Sequence, residues 1–160
     1  SVSMLKLYKF DEAQKQYWET WDNGDGTHTI HWGELGTHGQ TRKVKGSTAR
    51  KPEDQVQEES DAQLALGFQP PEEEFTMIIQ YEIDGFGTPD DLDKRHKLED
   101  RLNETLGWNG LGDCDGGSIG SGTMETFSYV VDFEIAKRIV ESDLKGTEFE
   151  NYSRIYCGGD

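Results

Sequence analysis

Trp32 and the cations Arg42, Lys43 and Lys45 bring an aromatic plane and three positive charges into one short stretch. A tryptophan there can stack on a base, worth roughly 1–3 kcal/mol per base. The three cations can hold phosphate in a weak, salt-sensitive site. The competing reading makes Trp32 a core residue beside His28 and Ile30, and the cations a solvated strand that discourages edge pairing. His28, His31 and His38 are the residues nearest to a metal set. On a strand, however, His28 and His31 face opposite ways, and no thiol lies nearby. The run Asp22-Asn23-Gly24-Asp25-Gly26 has the composition of a calcium loop. Set in that register, Trp21 and Trp32 fall at the first and last ligand positions, so it reads as a hairpin turn. Gly116 to Gly122 has no lysine and precedes a strand, which argues against a phosphate cradle. Cys114 sits between Asp113 and Asp115, whose charges raise a thiol pKa and reduce its reactivity.

The carboxylates select no acid–base pair. Asp84, Asp90, Asp91, Asp93, Asp113, Asp115 and Asp132 gather near the expected loops of the second half. They read either as a solvated acidic surface or as a docking face for something basic. The net charge is −16, from 32 acidic and 16 basic side chains. Such a field repels phosphate backbones and draws in cationic surfaces. It is uneven: residues 1–73 carry 8 basic and 13 acidic groups, and residues 74–160 carry 8 and 19. Phe86, Trp108 and Tyr129 are the expected anchors that would be buried in such a complex.

These residues need elements to hold them. Met4 to Phe10, Gln16 to Trp21, His28 to Gly33 and Thr41 to Lys45 alternate as four strands of an antiparallel meander. Period two puts Leu5 and Leu7 on one face, separates Trp18 from Tyr17, and groups His28, Ile30 and Trp32. The period then changes from Ser47 to Leu66. Pro52 suits the first helical turn, and Val56, Leu64 and Leu66 are the expected apolar anchors. Gly67 ends the helix before Phe68. Gln69 to Glu74 has linker composition, with two prolines and three glutamates.

Phe75 to Ile83 begins a second unit, with Met77, Ile79, Tyr81 and Ile83 on one face. A helix is expected from Asp90 to Leu106, lined by Leu98, Leu102 and Leu106. A strand follows over Met124 to Val131, then a helix capped by Asp132, and a last strand over Tyr152 to Cys157. The order β-α-(β)-β-α-β is ferredoxin-like if the glycine-rich segment supplies the missing strand, placed at Leu111 to Asp115. The expected organisation is α+β, with one domain over 1–69, a linker over 70–74 and a second domain over 75–160.

The stretch from His31 to Lys45 resembles the core of a WGR domain. Trp32 and Gly33 match the Trp-Gly-Arg signature, and Glu34 stands in the place of its arginine. Trp18 on an earlier strand, Leu35-Gly36, Gly39-Gln40 and the basic strand continue the match over roughly residues 5 to 70. The resemblance implies a sheet closed by a helix that ends in a glycine-aromatic pair, here Gly67-Phe68. It also implies a DNA-end site using Trp32, Arg42, Lys43 and Lys45, although a carboxylate at Glu34 reverses the sign of the family's contact. The second half, through Gly112 to Gly122 and Val130-Val131-Asp132, is similar to a small bacterial α+β domain of toxin-neutralising proteins.

Cys114 and Cys157 lack metal-knuckle spacing, and a chain this long does not need a disulfide, so reduced thiols in a cytoplasm are expected. No apolar run has the length of a membrane span. Ser1-Val2-Ser3 reads as a remnant outside the fold. The expected function is therefore non-catalytic and needs no cofactor or metal. It is that of a bacterial immunity protein that neutralises a basic toxin by direct binding, through Asp84, Phe86, Asp90, Asp91, Asp93, Trp108, Asp113, Asp115 and Tyr129. The alternative is a nucleic-acid-end binding module.

Overall fold

A computed structural model describes residues 4–159; Ser1-Val2-Ser3 and Asp160 lie outside the described residues. The protein is mixed α+β, with two antiparallel four-stranded sheets and three helices among the described residues. It divides into two compact units between Glu72 and Glu73.

The first unit is a meander of β1 (Leu5–Phe10), β2 (Lys15–Asp22), β3 (Thr27–Glu34) and β4 (Gln40–Lys45), paired in that order and closed by α1 (Pro52–Ala65). Alternation sends Leu7, Trp18, Ile30 and Val44 to one face, where they form the core with Val56 of α1. Trp32 and Phe68 pack against that core. The helix is shorter than the Ser47–Leu66 periodicity predicts. Ser47 and Arg50 close a turn through their backbones, and Pro52, which has no N–H to leave unpaired, opens the helix. The expected anchors Leu64 and Leu66 are 46% and 60% exposed. Gly67, at a φ of 102°, turns the chain so that the Phe68 N–H reaches the Gln63 carbonyl and Phe68 meets the core instead. Paired backbone hydrogen bonds between Tyr8 and Gln69 tie this return to β1.

The second unit runs β5 (Phe75–Glu82), α2 (Pro89–Trp108), β6 (Gly112–Gly120), β7 (Thr123–Val130), α3 (Phe133–Leu144) and β8 (Arg154–Cys157). Its sheet order is β6-β7-β5-β8. Met77, Ile79 and Tyr81 of β5 and Met124 and Val130 of β7 are buried. So are Leu98, Leu102 and Leu106 of α2 and Ala136, Val140 and Leu144 of α3. Thr88 and Asp91 form a reciprocal capping box at the start of α2. Asp132 caps α3 by accepting from the Ile135 N–H at 2.9 Å.

Besides shifts of one or two residues at α2 and β7, two strands differ from expectation. The glycine-rich segment supplies a strand of nine residues, Gly112–Gly120, well past Asp115, with an irregularity in register between Cys114 and Gly116. Its glycines let α2 lie close. A Cβ at Gly117 would come within 2.9 Å of both Arg95 Cδ and Glu99 Oε2. The last strand begins at Arg154, two residues late, and Tyr152 ahead of it packs edge-on against Tyr81.

Candidate functional site

The register of the first sheet sets Trp18 opposite Trp32, Gln16 opposite Glu34, and Ile30 opposite Arg42. All six share the face that α1 covers. α1 does not fill the space above them, and a cavity of about 370 Å³ remains. Its apolar wall comes from Trp18, Ile30, Trp32 and Phe68. Its polar groups are Gln14, Gln16 and Gln63 together with Glu34, Arg42 and Glu59. A concave space with an aromatic wall can take a ligand, although six polar side chains make this one more polar than the usual site. Arg42 Nη2 donates to Glu59 Oε1, so a guanidinium–carboxylate pair already occupies part of the rim.

The opposite face of the same strands carries a buried polar network. Tyr17 and Glu19 of β2 and His31 of β3 project there together. His31 Nδ1 lies 2.5 Å from Glu19 Oε2, and its Nε2 lies 2.6 Å from the His38 carbonyl oxygen and 3.0 Å from Tyr17 Oη. Tyr17 donates its hydroxyl proton to the Thr37 carbonyl at 2.8 Å. A carbonyl only accepts, so Nε2 carries a proton. An ionised Glu19 then asks Nδ1 to carry one too. Burial pushes the His31 pKa down, but the Glu19 carboxylate and the His38 carbonyl outweigh it, and the net shift is upward. Burial also pushes the Tyr17 hydroxyl pKa up, and the Glu19 charge adds to that. The network holds the loop after β3 by the carbonyls of Thr37 and His38. Gly33 and Gly39 let that loop close: a Cβ on Gly33 would sit 2.7 Å from Gly39 Cα. Gly39 itself has a φ of 60°, and a Cβ there would strike Tyr17 Oη and the Trp32 carbonyl.

The four residues of the nucleic-acid reading are not brought together. Trp32 and Arg42 lie on the cavity face, whereas Lys43 and Lys45, two residues apart on β4, include no cavity-lining group and alternate to the other face with Thr29 and Thr27. Of the histidines, His28 lies 3.6 Å from Glu53, His31 is engaged in its network, and His38 is exposed. Among the described residues no three His, Cys, Asp or Glu side chains converge as a metal site. In the Asp22–Gly26 turn, Asp22 accepts from the Gly24 N–H, and Asp25 accepts from the N–H and hydroxyl of Thr27. Those Thr27 bonds hold the Asp25 carboxyl below its ordinary range.

The expected partner-binding residues of the second unit fall into two groups. Asp84, Phe86, Asp90, Asp91 and Asp93 lie at the start of α2, beside the β6–β7 turn, where the Gly122 N–H reaches the Gly85 carbonyl at 2.6 Å. Asp91 is held by the capping box, whereas Phe86 is 78% exposed. Trp108 lies at the other end of α2, about 30 Å away at 1.5 Å per residue. Its indole N–H donates to Glu104 at 3.0 Å. Asp113 and Asp115 begin β6 nearby, and Tyr129 pairs with Asp113 in register. Cys114 lies between them; burial is the main reason its thiol pKa is raised, ahead of the charges of Glu99 and Asp113.

Sequence reasoning missed the Tyr17–His31–Glu19 network and the contribution of Glu59, Gln63 and Phe68 to the cavity. Period two already places Tyr17 and Glu19 on one side of β2. What was lacking was the register that sets Glu19 opposite His31. No family model, no curated protein and no solved structure matches the chain. Its site is therefore read from its own geometry.

Proposed function

We propose that this chain is a non-catalytic, acidic binding protein of the bacterial immunity type, which neutralises a basic effector protein by covering it. In the same reading the first unit is WGR-like. The β6-β7-β5-β8 order of the second, with its two crossover helices, is ferredoxin-like. The observation that carries the reading is charge with anchors. The chain has a net charge of −16. Its second unit presents Phe86 at 78% exposure, and Trp108 and Tyr129 at 40% each, among exposed carboxylates. Opposite charge speeds encounter, and a few desolvated aromatic side chains then hold a complex.

The nucleic-acid reading is weaker. Trp32 and Arg42 do share the cavity, but Arg42 is paired with Glu59, and Lys43 and Lys45 are not part of that cavity. The test is capture from a native lysate by the immobilised chain, beside a D90N/D93N variant that spares the capping residue Asp91. A basic protein held by the wild type and several-fold less by the variant supports the proposal. Nucleic acid alone, or equal capture by both, overturns it.

A further inference from the structure

We infer that the aromatic cavity on the helix-covered face of the first sheet receives an arginine side chain from the protein partner, stacked on Trp32 and bonded to Glu34. The inference rests on the reading that the partner is a basic protein, and it names where one of its cations goes.

Four observations support it. The cavity has aromatic residues in its wall: Trp18, Trp32 and Phe68 line it, and at about 370 Å³ it falls within the range of sites that take small groups. An aromatic ring face carries the negative side of its quadrupole, which attracts a cation, and arginine more often than lysine. Its fixed charges are two carboxylates, Glu34 and Glu59, against one cation, Arg42. Arg42 is already held by Glu59, which leaves Glu34 as the carboxylate without an ion pair among the described residues. The lining also offers side-chain amides that a ligand can bond. Among the described residues, the side-chain amides of Gln14, Gln16 and Gln63 bond to no protein group, whereas the chain's own Arg42 shows that a guanidinium fits against a carboxylate at this rim.

The alternatives fit less well. An anion would face Glu34 and find Arg42 taken. Lysine would place a compact, strongly hydrated ammonium where a flat group can both stack and fork onto a carboxylate, as a guanidinium does. A neutral planar ligand would use the aromatic walls but leave Glu34 unpaired, and it is separated by the experiment.

The experiment titrates the full chain with a capped Gly-Arg-Gly peptide and with its citrulline counterpart, which has the same shape without the charge. The readout is the four indole N–H resonances, assigned by Trp→Phe variants. The expected result is saturable movement of the Trp18 and Trp32 resonances, with Trp108 still. Citrulline should bind more weakly, and E34Q should weaken the arginine peptide by about threefold to fivefold, the scale of a solvent-facing ion pair. Glu34 is exposed at the end of β3, so E34Q leaves the core intact. Stationary Trp18 and Trp32 resonances at millimolar peptide, equal binding of citrulline, or an unchanged affinity in E34Q each overturn the inference. If the peptide fails while D90N/D93N still loses the captured protein, the cavity assignment falls and the acidic-binder reading stands. If the peptide binds with all the expected changes but no basic protein is captured, the cavity is a guanidinium site and the acidic-binder reading falls.

Discussion

The two sheets differ in how they treat a buried polar group at the strands beneath their cores. On the first, Glu19, His31 and Tyr17 are all buried, and each has a partner between 2.5 and 3.0 Å away. On the second, Thr126 is fully buried beneath α2, and its hydroxyl meets no partner. The first sheet therefore uses polar groups to specify a loop, because among the described residues the carbonyls of Thr37 and His38 are held through that network. The second satisfies the buried Tyr81 hydroxyl at the Phe149 carbonyl, but at Thr126 it tolerates a lost hydrogen bond among apolar side chains. Removing a member of a satisfied charged network should cost much more than removing an unsatisfied hydroxyl.

The largest effect should come from Glu19→Ala. It leaves His31 buried without its carboxylate and should destabilise the first unit by about 3–5 kcal/mol. Denaturant unfolding followed by tryptophan fluorescence reads this, since Trp18, Trp21 and Trp32 all lie in the first unit. A loss below about 1 kcal/mol, the scale of an exposed pair, would mean that the contact is not a buried ion pair.

A pH series sharpens the comparison. The folded pKa of His31 lies above its ordinary value of 6.5. Its contribution is therefore fully present below that value and is lost as pH rises through the folded pKa, where the native state gives up the proton that had been stabilised. The first unit should lose stability across this interval, and Glu19→Gln should remove that slope. An identical slope in Glu19→Gln would assign the titration to another group.

The smallest effect lies in the second unit. Thr126→Val keeps the shape and removes a buried hydroxyl that has no partner. It should raise stability by about 1 kcal/mol. A clear loss on calorimetry would show that the hydroxyl is satisfied in solution and that the contrast between the sheets is smaller than the geometry suggests.

Much of the architecture was legible in particular residues. Alternation separated Trp18 from Tyr17, grouped His28, Ile30 and Trp32, and put Met77, Ile79 and Tyr81 on one face. The four-residue spacing of Leu98, Leu102 and Leu106 marked the buried side of α2. The strand Gly112–Gly120 was only partly visible, because glycine has no side chain to alternate and little preference for strands. The stop at Gly67 was legible, but not that the turn there seats Phe68 in place of Leu64 and Leu66, since helical periodicity does not reveal where the return path will run.

The site divides along the same line. Local sequence determined which residues could face one another: each strand's two faces, the capping by Thr88 and Asp132, the turn chemistry at Asp22–Gly26 and the overall negative charge. Those depend on neighbours in the chain and on composition. Only the tertiary structure decided that Glu19 meets His31, that Arg42 is held by Glu59 of α1, and that Trp32 and Glu34 border an open space. Such contacts depend on strand register and on how completely a helix fills the face it covers, and neither is a property of any one segment.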